Sequence, residues 1–396
     1  MPTPNLFLQE TSYSAQNRTG KPENPDIDIM YATDRLNEST TSERAVYKNS
    51  RSTAVAFGVA AVKLKPDINW EGLSGVSDGG SRDIQLTYGD VIAVQQGQFP
   101  SSPYLFSIAD GQVVVDPTTQ SKLSRSRAKF RRLIVERLSD RETNDVVLFV
   151  HGFNNSFDYA AQTIGGIWHF LQRRQVPILY SWPAGAGGLR GYFVDKVSGE
   201  FTIFHLKEVL RTLFAIPEIE NLHIIAHSRG TDVVTSALRE LIIEERGNKR
   251  NYREVFRIEN LILAAPDLDY GVIRQRLMAE AFGSAFGKIT VYTTSTDKAL
   301  TISQLFMRGI RFGLLANDDI DKRDRSILER VGNVSFVQAQ DVRSFTGHDY
   351  FINDPSVSSD LLSVINHSAE PGSALRPLVH QEGNFWLLPP GYPSAE

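Results

Sequence analysis

Three side chains in this sequence have the types, order and surroundings of a nucleophile with its activating base and acid: Ser228, His348 and Asp297. Ser228 lies in "IIAHSRGTDVV" (224–234), where an apolar run breaks at His227–Gly230 and a helical pattern resumes at once. A serine on a sharp strand–turn–helix corner projects its hydroxyl above the sheet. That crowded turn needs small residues two before and two after the serine, here Ala226 and Gly230, giving A-x-S-x-G. The helix that follows aims its N-terminal N–H groups at the serine and favours negative charge developing there. A serine hydroxyl is a poor nucleophile until a base takes its proton. Asp297 closes "KITVYTTSTD" and His348 follows "NVSFVQAQDVRSFTG", both at later strand ends. Such a set performs acyl transfer through serine. Asp267 and Asp269, in "APDLD" at the end of the preceding strand, compete with Asp297 as the acid.

Acyl transfer also needs donors for an oxyanion. "HGFNNS" (151–156) ends an earlier strand, so the Phe153 and Arg229 N–H groups are the expected donors, with Asn154 as a side-chain addition. Trp182, Tyr192, Phe193, Tyr270, Phe345 and Tyr350 fall near strand ends and are candidates for an apolar pocket. Of these, Trp182 and Tyr270, together with Asn154, are the expected substrate contacts. His151 and His227 flank the same corners, where a structural hydrogen bond is the plainer role. "NDDIDKRD" (317–324) lacks the central glycine and closing glutamate of a calcium loop. There is no H-E-x-x-H, and the isolated "GAGG" (185–188) does not follow the first strand of a dinucleotide unit. No metal and no cofactor are expected.

The elements that must position these residues are legible from residue 145 onward. "DVVLFVHGF" is continuously apolar, as a strand buried on both faces should be. Phe157, Ala160, Ala161, Ile164, Ile167, Trp168 and Leu171 then mark one helix face, and Leu206, Val209, Leu210, Leu213 and Phe214 mark another. "VPILYSW", "NLHIIAHS", "RIENLILAAPD", "KITVYTTSTD" and "NVSFVQAQDV" supply further strands between helical stretches. Such alternation predicts an α/β fold with a mostly parallel central sheet covered by helices on both faces. Upstream, "IDIMYATDR" (27–35) and "STAVAFGVAAVKL" (52–64) read as strands, and "QSKLSRSRAKFRRLIVERLSD" (120–140) as a basic amphipathic helix, for which a solvated helix packed on the sheet is the plainer reading and a membrane-surface role the alternative. The expected organisation is an N-terminal arm and β-rich extension over 1–140, a catalytic core over 141–366 and a tail over 367–396. A lid would have to come from 65–120, 184–200 or 299–332.

The chain resembles the α/β-hydrolase superfamily, and within it a bacterial subgroup of hydrolases of unknown function. The resemblance rests on "YATDR", "VVLFVHGFNNSFDYAA", "SWPA", "LHIIAHSRGTDVV", "LAAPDLD", "VYTTSTDKAL" and "GHDYF", in that order, over roughly 27–64 and 140–366. It departs at Arg229 and Thr231, where similar proteins carry Met and Asn. The resemblance implies the α/β-hydrolase fold. Residues and resemblance together predict a serine hydrolase of carboxylic esters, acting on a small-molecule ester or amide through an acyl-enzyme. An amidase or acyltransferase would use the same residues, and a non-catalytic binding protein on this scaffold is the reading from a different class.

Composition narrows the alternatives. With 396 residues, 41% hydrophobic and 22% charged, the chain can bury a large core without staples. It has no cysteine, which excludes disulfides and thiolate chemistry. A formal net charge of −4 gives no footprint for nucleic acid. No apolar run is long enough for a spanning helix, and the start has no basic-then-apolar leader pattern. The expected setting is cytoplasmic, with homo-oligomerisation left open.

Overall fold

Val146–Val150 alternates between two cores, as a strand with helices on both faces must. Val146, Leu148 and Val150 enter one cluster, while Val147 and Phe149 enter the other. The same alternation repeats across the sheet in the computed structural model, which describes residues 1–9, 25–41, 43–77, 86–301, 311–314, 320–342 and 347–393. In chain order the strands are β1 (Ile27–Asn37), β2 (Tyr47–Lys65), β3 (Thr87–Gln98), β4 (Phe106–Ala109), β5 (Gln112–Val115), β6 (Val146–Val150) and β7 (Val176–Ser181). They continue with β8 (Leu222–His227), β9 (Ile258–Ala264), β10 (Lys288–Thr293), β11 (Val334–Ala339), β12 (Val379–His380) and β13 (Phe385–Leu388).

Among the described residues, eleven strands form one sheet in the order β12-β13-β11-β10-β9-β8-β6-β7-β1-β2-β3. From β13 to β1 the neighbours are parallel; the antiparallel pairs β12–β13, β1–β2 and β2–β3 lie at its ends. Helices Pro117–Leu138 and Gly230–Gly247, with the C-terminal half of Gly188–Phe214, bury apolar residues in one cluster; Phe157–Phe170 and Pro355–His367 bury theirs in the other. The strand order reverses at β6, which has β7 on one side and β8 on the other. In a parallel sheet that reversal opens a crevice beyond the carboxyl ends of the two diverging strands. The loops leaving β6 and β8 carry Gly152 and Ser228.

The basic segment forms the helix Pro117–Leu138, capped by Asp116, with Leu123, Phe130, Ile134 and Leu138 buried. Two stretches carry regular structure that the sequence pattern did not show. Residues 184–200, a lid candidate, largely form the first half of the helix Gly188–Phe214, whose apolar face was legible only from Leu206 onward. The segment 367–396, read as a tail, adds β12 and β13 to the sheet edge, with β13 parallel to β11. Of the other lid candidates, β3 is an edge strand of the main sheet, and 78–85, 302–310 and 315–319 lie outside the described residues. No helix among the described residues is long and apolar enough to cross a membrane.

Candidate active site

The β8 corner is built by close approach. Ser228 adopts φ 52°, a left-handed conformation that costs a non-glycine residue energy and is held only by surrounding contacts. Its N–H donates to the Ala264 carbonyl at 2.9 Å, and its carbonyl accepts from the Thr231 hydroxyl at 2.6 Å. Gly230 lets the helix start sit on the end of β6: a Cβ there would lie 2.4 Å from the His151 carbonyl oxygen. Gly152 does the same from the other side, since its Cβ would lie 2.7 Å from the Ser228 Cβ. The small residues of the two motifs therefore serve one contact.

Ser228, His348 and Asp297 meet in a hydrogen-bonded chain. The Ser228 hydroxyl donates to His348 Nε2 at 2.6 Å, and His348 Nδ1–H donates to Asp297 Oδ2 at 2.7 Å. Asp297 is fully buried, and its Oδ1 accepts the Leu300 N–H at 2.9 Å, which fixes the carboxylate plane. Gly347, at φ 71°, lets the histidine loop lie against the Thr296–Asp297 turn, where a Cβ would be 2.5 Å from the Thr296 carbonyl oxygen. His227 stacks on Phe351 and donates from Nε2 to the His348 carbonyl at 3.1 Å, a positioning contact. Asp267 does not join this chain. It accepts the Tyr192 hydroxyl at 2.8 Å and lies 3.7 Å from Arg311 Nε, tying the helix Gly188–Phe214 to the end of β9.

The two N–H groups expected at an oxyanion lie on the segments that leave β6 and β8. Among the described residues neither the Phe153 nor the Arg229 N–H donates to a protein acceptor. The Arg229 guanidinium folds back to Asp232 at 3.1 Å, so its charge is paired locally. The other expected contacts fare differently. The exposed Asn154, at φ 53°, gives its N–H to Asp195 Oδ2 at 3.0 Å. Trp182 is fully buried, stacked 5.3 Å from His151 and donating from Nε1 to the His151 carbonyl at 2.7 Å. It buttresses the loop from beneath and has no surface to offer a substrate. Tyr270 is buried too, its hydroxyl held by Asp324 at 2.8 Å and its ring in the core beside Phe312. Tyr350 is likewise buried, with its hydroxyl on the Tyr292 carbonyl. All three are core side chains, because aromatic residues at strand ends pack before they bind. Tyr192, by contrast, packs its ring 5.6 Å from Phe153 at the crevice edge, with Phe193 exposed beside it. Phe345 lies outside the described residues.

Sequence reasoning missed the groups that hold the loop. Arg35, 1% exposed, donates to Ser181 Oγ at 2.8 Å, to the Lys48 and Ala184 carbonyls at 2.7 and 2.9 Å, and to the Asn155 carbonyl at 2.8 Å. It also approaches His151 Nε2 at 3.3 Å, so His151 is the neutral tautomer that donates from Nδ1 to the Gly152 carbonyl. Burial pulls the guanidinium down to about 10, with Asp34 and Asp195 opposing, so it stays charged at neutral pH. Asp195, also buried, accepts the N–H groups of Asn154 and Gly185 at 3.0 and 3.1 Å. The "YATDR" string was the available signal, but nothing local shows what Arg35 reaches. Lysine cannot replace this five-donor fork. Arg35→Lys should lower kcat on the order of 10²-fold through displacement of the 151–155 loop, with a smaller change in KM; a kcat within twofold of wild type would refute the role.

Buried histidines add a pH signature. Burial, reinforced by His348, holds His227 down to about 3, against its ordinary 6.5. Burial likewise holds His151 and His169 well below that value. Each is neutral in the fold yet takes a proton in the unfolded chain, so their stabilising contribution is complete above about 6.5 and falls as pH drops toward about 3. The slope is about 1.4 kcal/mol per pH unit for each histidine. Thermal melts should show Tm decreasing from about pH 7 to about pH 5, less steeply in His227→Gln. A Tm that is flat across that window would contradict neutral burial.

The sequence profile of a family described as "Alpha/beta hydrolase of unknown function (DUF900)" matches residues 126–365. A search of curated proteins returned no match. Among solved structures, the chain is similar to a lipase-esterase related protein from Clostridium acetobutylicum at 12% identity, covering 50% of this chain and 76% of that one, with a TM-score of 0.24. It is similar to a hydrolase from Oleispira antarctica at 13% identity, covering 56% and 80%, with a TM-score of 0.23. A serine hydrolase from Cycloclasticus zankles is 13% identical over 63% of this chain and 81% of that one, with a TM-score of 0.23.

Proposed function

This chain belongs to the α/β hydrolases of unknown function, and from that premise we propose that it is a serine hydrolase cleaving carboxylic esters through an acyl-enzyme. The observation that carries the reading is the continuous chain from the Ser228 hydroxyl through His348 to Asp297, at 2.6 and 2.7 Å. Ser228 Oγ attacks the ester carbonyl while His348 Nε2 takes its proton. Asp297 keeps the imidazole in the tautomer with Nδ1 protonated and stabilises the imidazolium. The oxyanion is received by the Phe153 and Arg229 N–H groups, at the start of a helix whose dipole favours negative charge. His348 then protonates the departing alcohol, and a water that it deprotonates releases the acid.

A fluorophosphonate probe tests the nucleophile directly. The expected result is one adduct per chain, on Ser228, abolished by heat denaturation. Folded protein that takes up no label would favour a non-catalytic binding protein instead. A panel of acyl esters and amides of graded chain length then separates ester from amide cleavage, with faster ester turnover expected. Amide turnover exceeding that of matched esters would make the chain an amidase with the same residues.

A further inference from the structure

The hairpin β4–β5 stands apart from the main sheet and leaves most of its apolar side chains in water. Leu105, Ile108 and Val113 are 70%, 72% and 67% exposed, and Phe106 is 59% exposed. Ile108 is paired with Val113, and Phe106 with Val115, so these four lie on one face of the ribbon. A two-stranded ribbon is marginal in water, and soluble surfaces rarely carry contiguous apolar patches of this kind without a use for them. The patch continues. Tyr104, just before the hairpin, packs its ring 5.6 Å from Phe204, and Ser102 bonds to His205 on the same helix. Along that helix Phe193, Val194, Val197 and Phe204 are all exposed. Phe193 adjoins Tyr192, which rests on Phe153 beside the nucleophile corner. Exposed apolar side chains therefore recur from the rim of the crevice to the hairpin over about 16 Å of helix, as a belt interrupted on the same face by the exposed Glu200.

Positive charge flanks it. The helix Pro117–Leu138 leaves the hairpin directly and has no acidic residue before Glu136. Lys122, Arg125 and Lys129 form one exposed stripe on it, with no carboxylate partner among the described residues, in a chain whose net charge is −4. We propose that the hairpin, the belt and this cationic stripe form a docking face for a membrane surface carrying anionic lipid. The apolar ribbon enters the headgroup–acyl boundary and the cations meet lipid phosphates. A second copy of the chain suits the face less well, because a two-fold contact through the hairpin brings two like-charged stripes toward each other. Docking does not depend on catalysis by Ser228.

The test is co-sedimentation of the full chain with vesicles of phosphatidylcholine alone and of phosphatidylcholine mixed with phosphatidylglycerol, at low and high salt. Wild type and Ser228→Ala should bind the anionic vesicles at least about tenfold more tightly than the neutral ones, with the preference lost at high salt. The triple variant Lys122→Gln, Arg125→Gln, Lys129→Gln should lose that preference, and Phe106→Asp with Ile108→Asp should lose binding to both. All five positions are exposed, and an unchanged melting profile checks the fold; were the hairpin variant to misfold, the triple variant alone decides. Wild type that stays in the supernatant, or variants that sediment as wild type does, would overturn the proposal. So would light scattering that shows a dimer dissolved by the hairpin variant without any vesicle binding.

Discussion

Ser228→Ala should lower kcat by roughly 10⁴–10⁶ while KM stays within several-fold, because the hydroxyl serves the chemistry rather than the binding. The geometry makes this substitution clean. The left-handed corner is held by backbone contacts, the Ser228 N–H to Ala264 and the Ser228 carbonyl to Thr231, and none of them involves Oγ. Alanine keeps the Cβ that Gly152 already accommodates, so the elbow survives with its strain unchanged. What is lost is the atom 2.6 Å from His348 Nε2. The Phe153 and Arg229 N–H groups stay in place, and in such sites oxyanion donors and binding alone sustain a residual 10³–10⁴-fold acceleration over water. The measurement is steady-state turnover of an acyl ester by purified variant, alongside labelling by a fluorophosphonate. A variant that keeps more than about a tenth of wild-type turnover would end the assignment of Ser228 as nucleophile.

Residues that depend on local pattern could be read from the sequence; those that depend on distant partners could not. The apolar runs of β6 to β11 announce buried parallel strands because neither face of such a strand meets water. The A-x-S-x-G string is legible for the same reason, since the positions that must be small lie within two residues of Ser228, even though what crowds Gly230 is the end of β6. Arg35 is the opposite case. Its acceptors sit on residues 48, 151, 155, 181 and 184, and only the folded sheet brings β1 beside β7 and the β6 loop. Trp182 and Tyr270 illustrate a second limit. Periodicity places an aromatic at a strand end but does not say whether its ring points up into the crevice or down into the core. The helix Gly188–Phe214 shows a third. Its first half carries an exposed apolar stripe, so the usual contrast between a wet face and a dry face is missing where the helix begins.

Asp297→Asn should cost about 10⁴ in turnover with the fold intact, whereas Asp267→Asn should leave kcat within about tenfold of wild type. Both carboxylates end parallel neighbours, β9 and β10, and both are buried, so position along the chain does not separate them. Their partners do. Asp297 Oδ1 is committed to the Leu300 N–H and Oδ2 faces His348 Nδ1. In Asp297→Asn the amide oxygen keeps the Leu300 bond, which turns the new NH₂ toward Nδ1. That nitrogen must then accept, the ring proton moves to Nε2, and Nε2 can no longer receive the Ser228 proton. The loss is thus a tautomer effect and should appear in kcat with little change in melting temperature. Asp267 instead holds Tyr192 and lies beside Arg311. Its amide keeps an acceptor for the tyrosine hydroxyl but loses the attraction to the guanidinium, which loosens the helix edge by Phe153. That change should fall mainly on KM and on stability. Paired kinetics of the two variants, each checked by thermal melting, decide the matter. If Asp267→Asn loses the chemical step while Asp297→Asn turns over near wild type, His348 takes its carboxylate from β9 in solution and the proposed charge path is wrong.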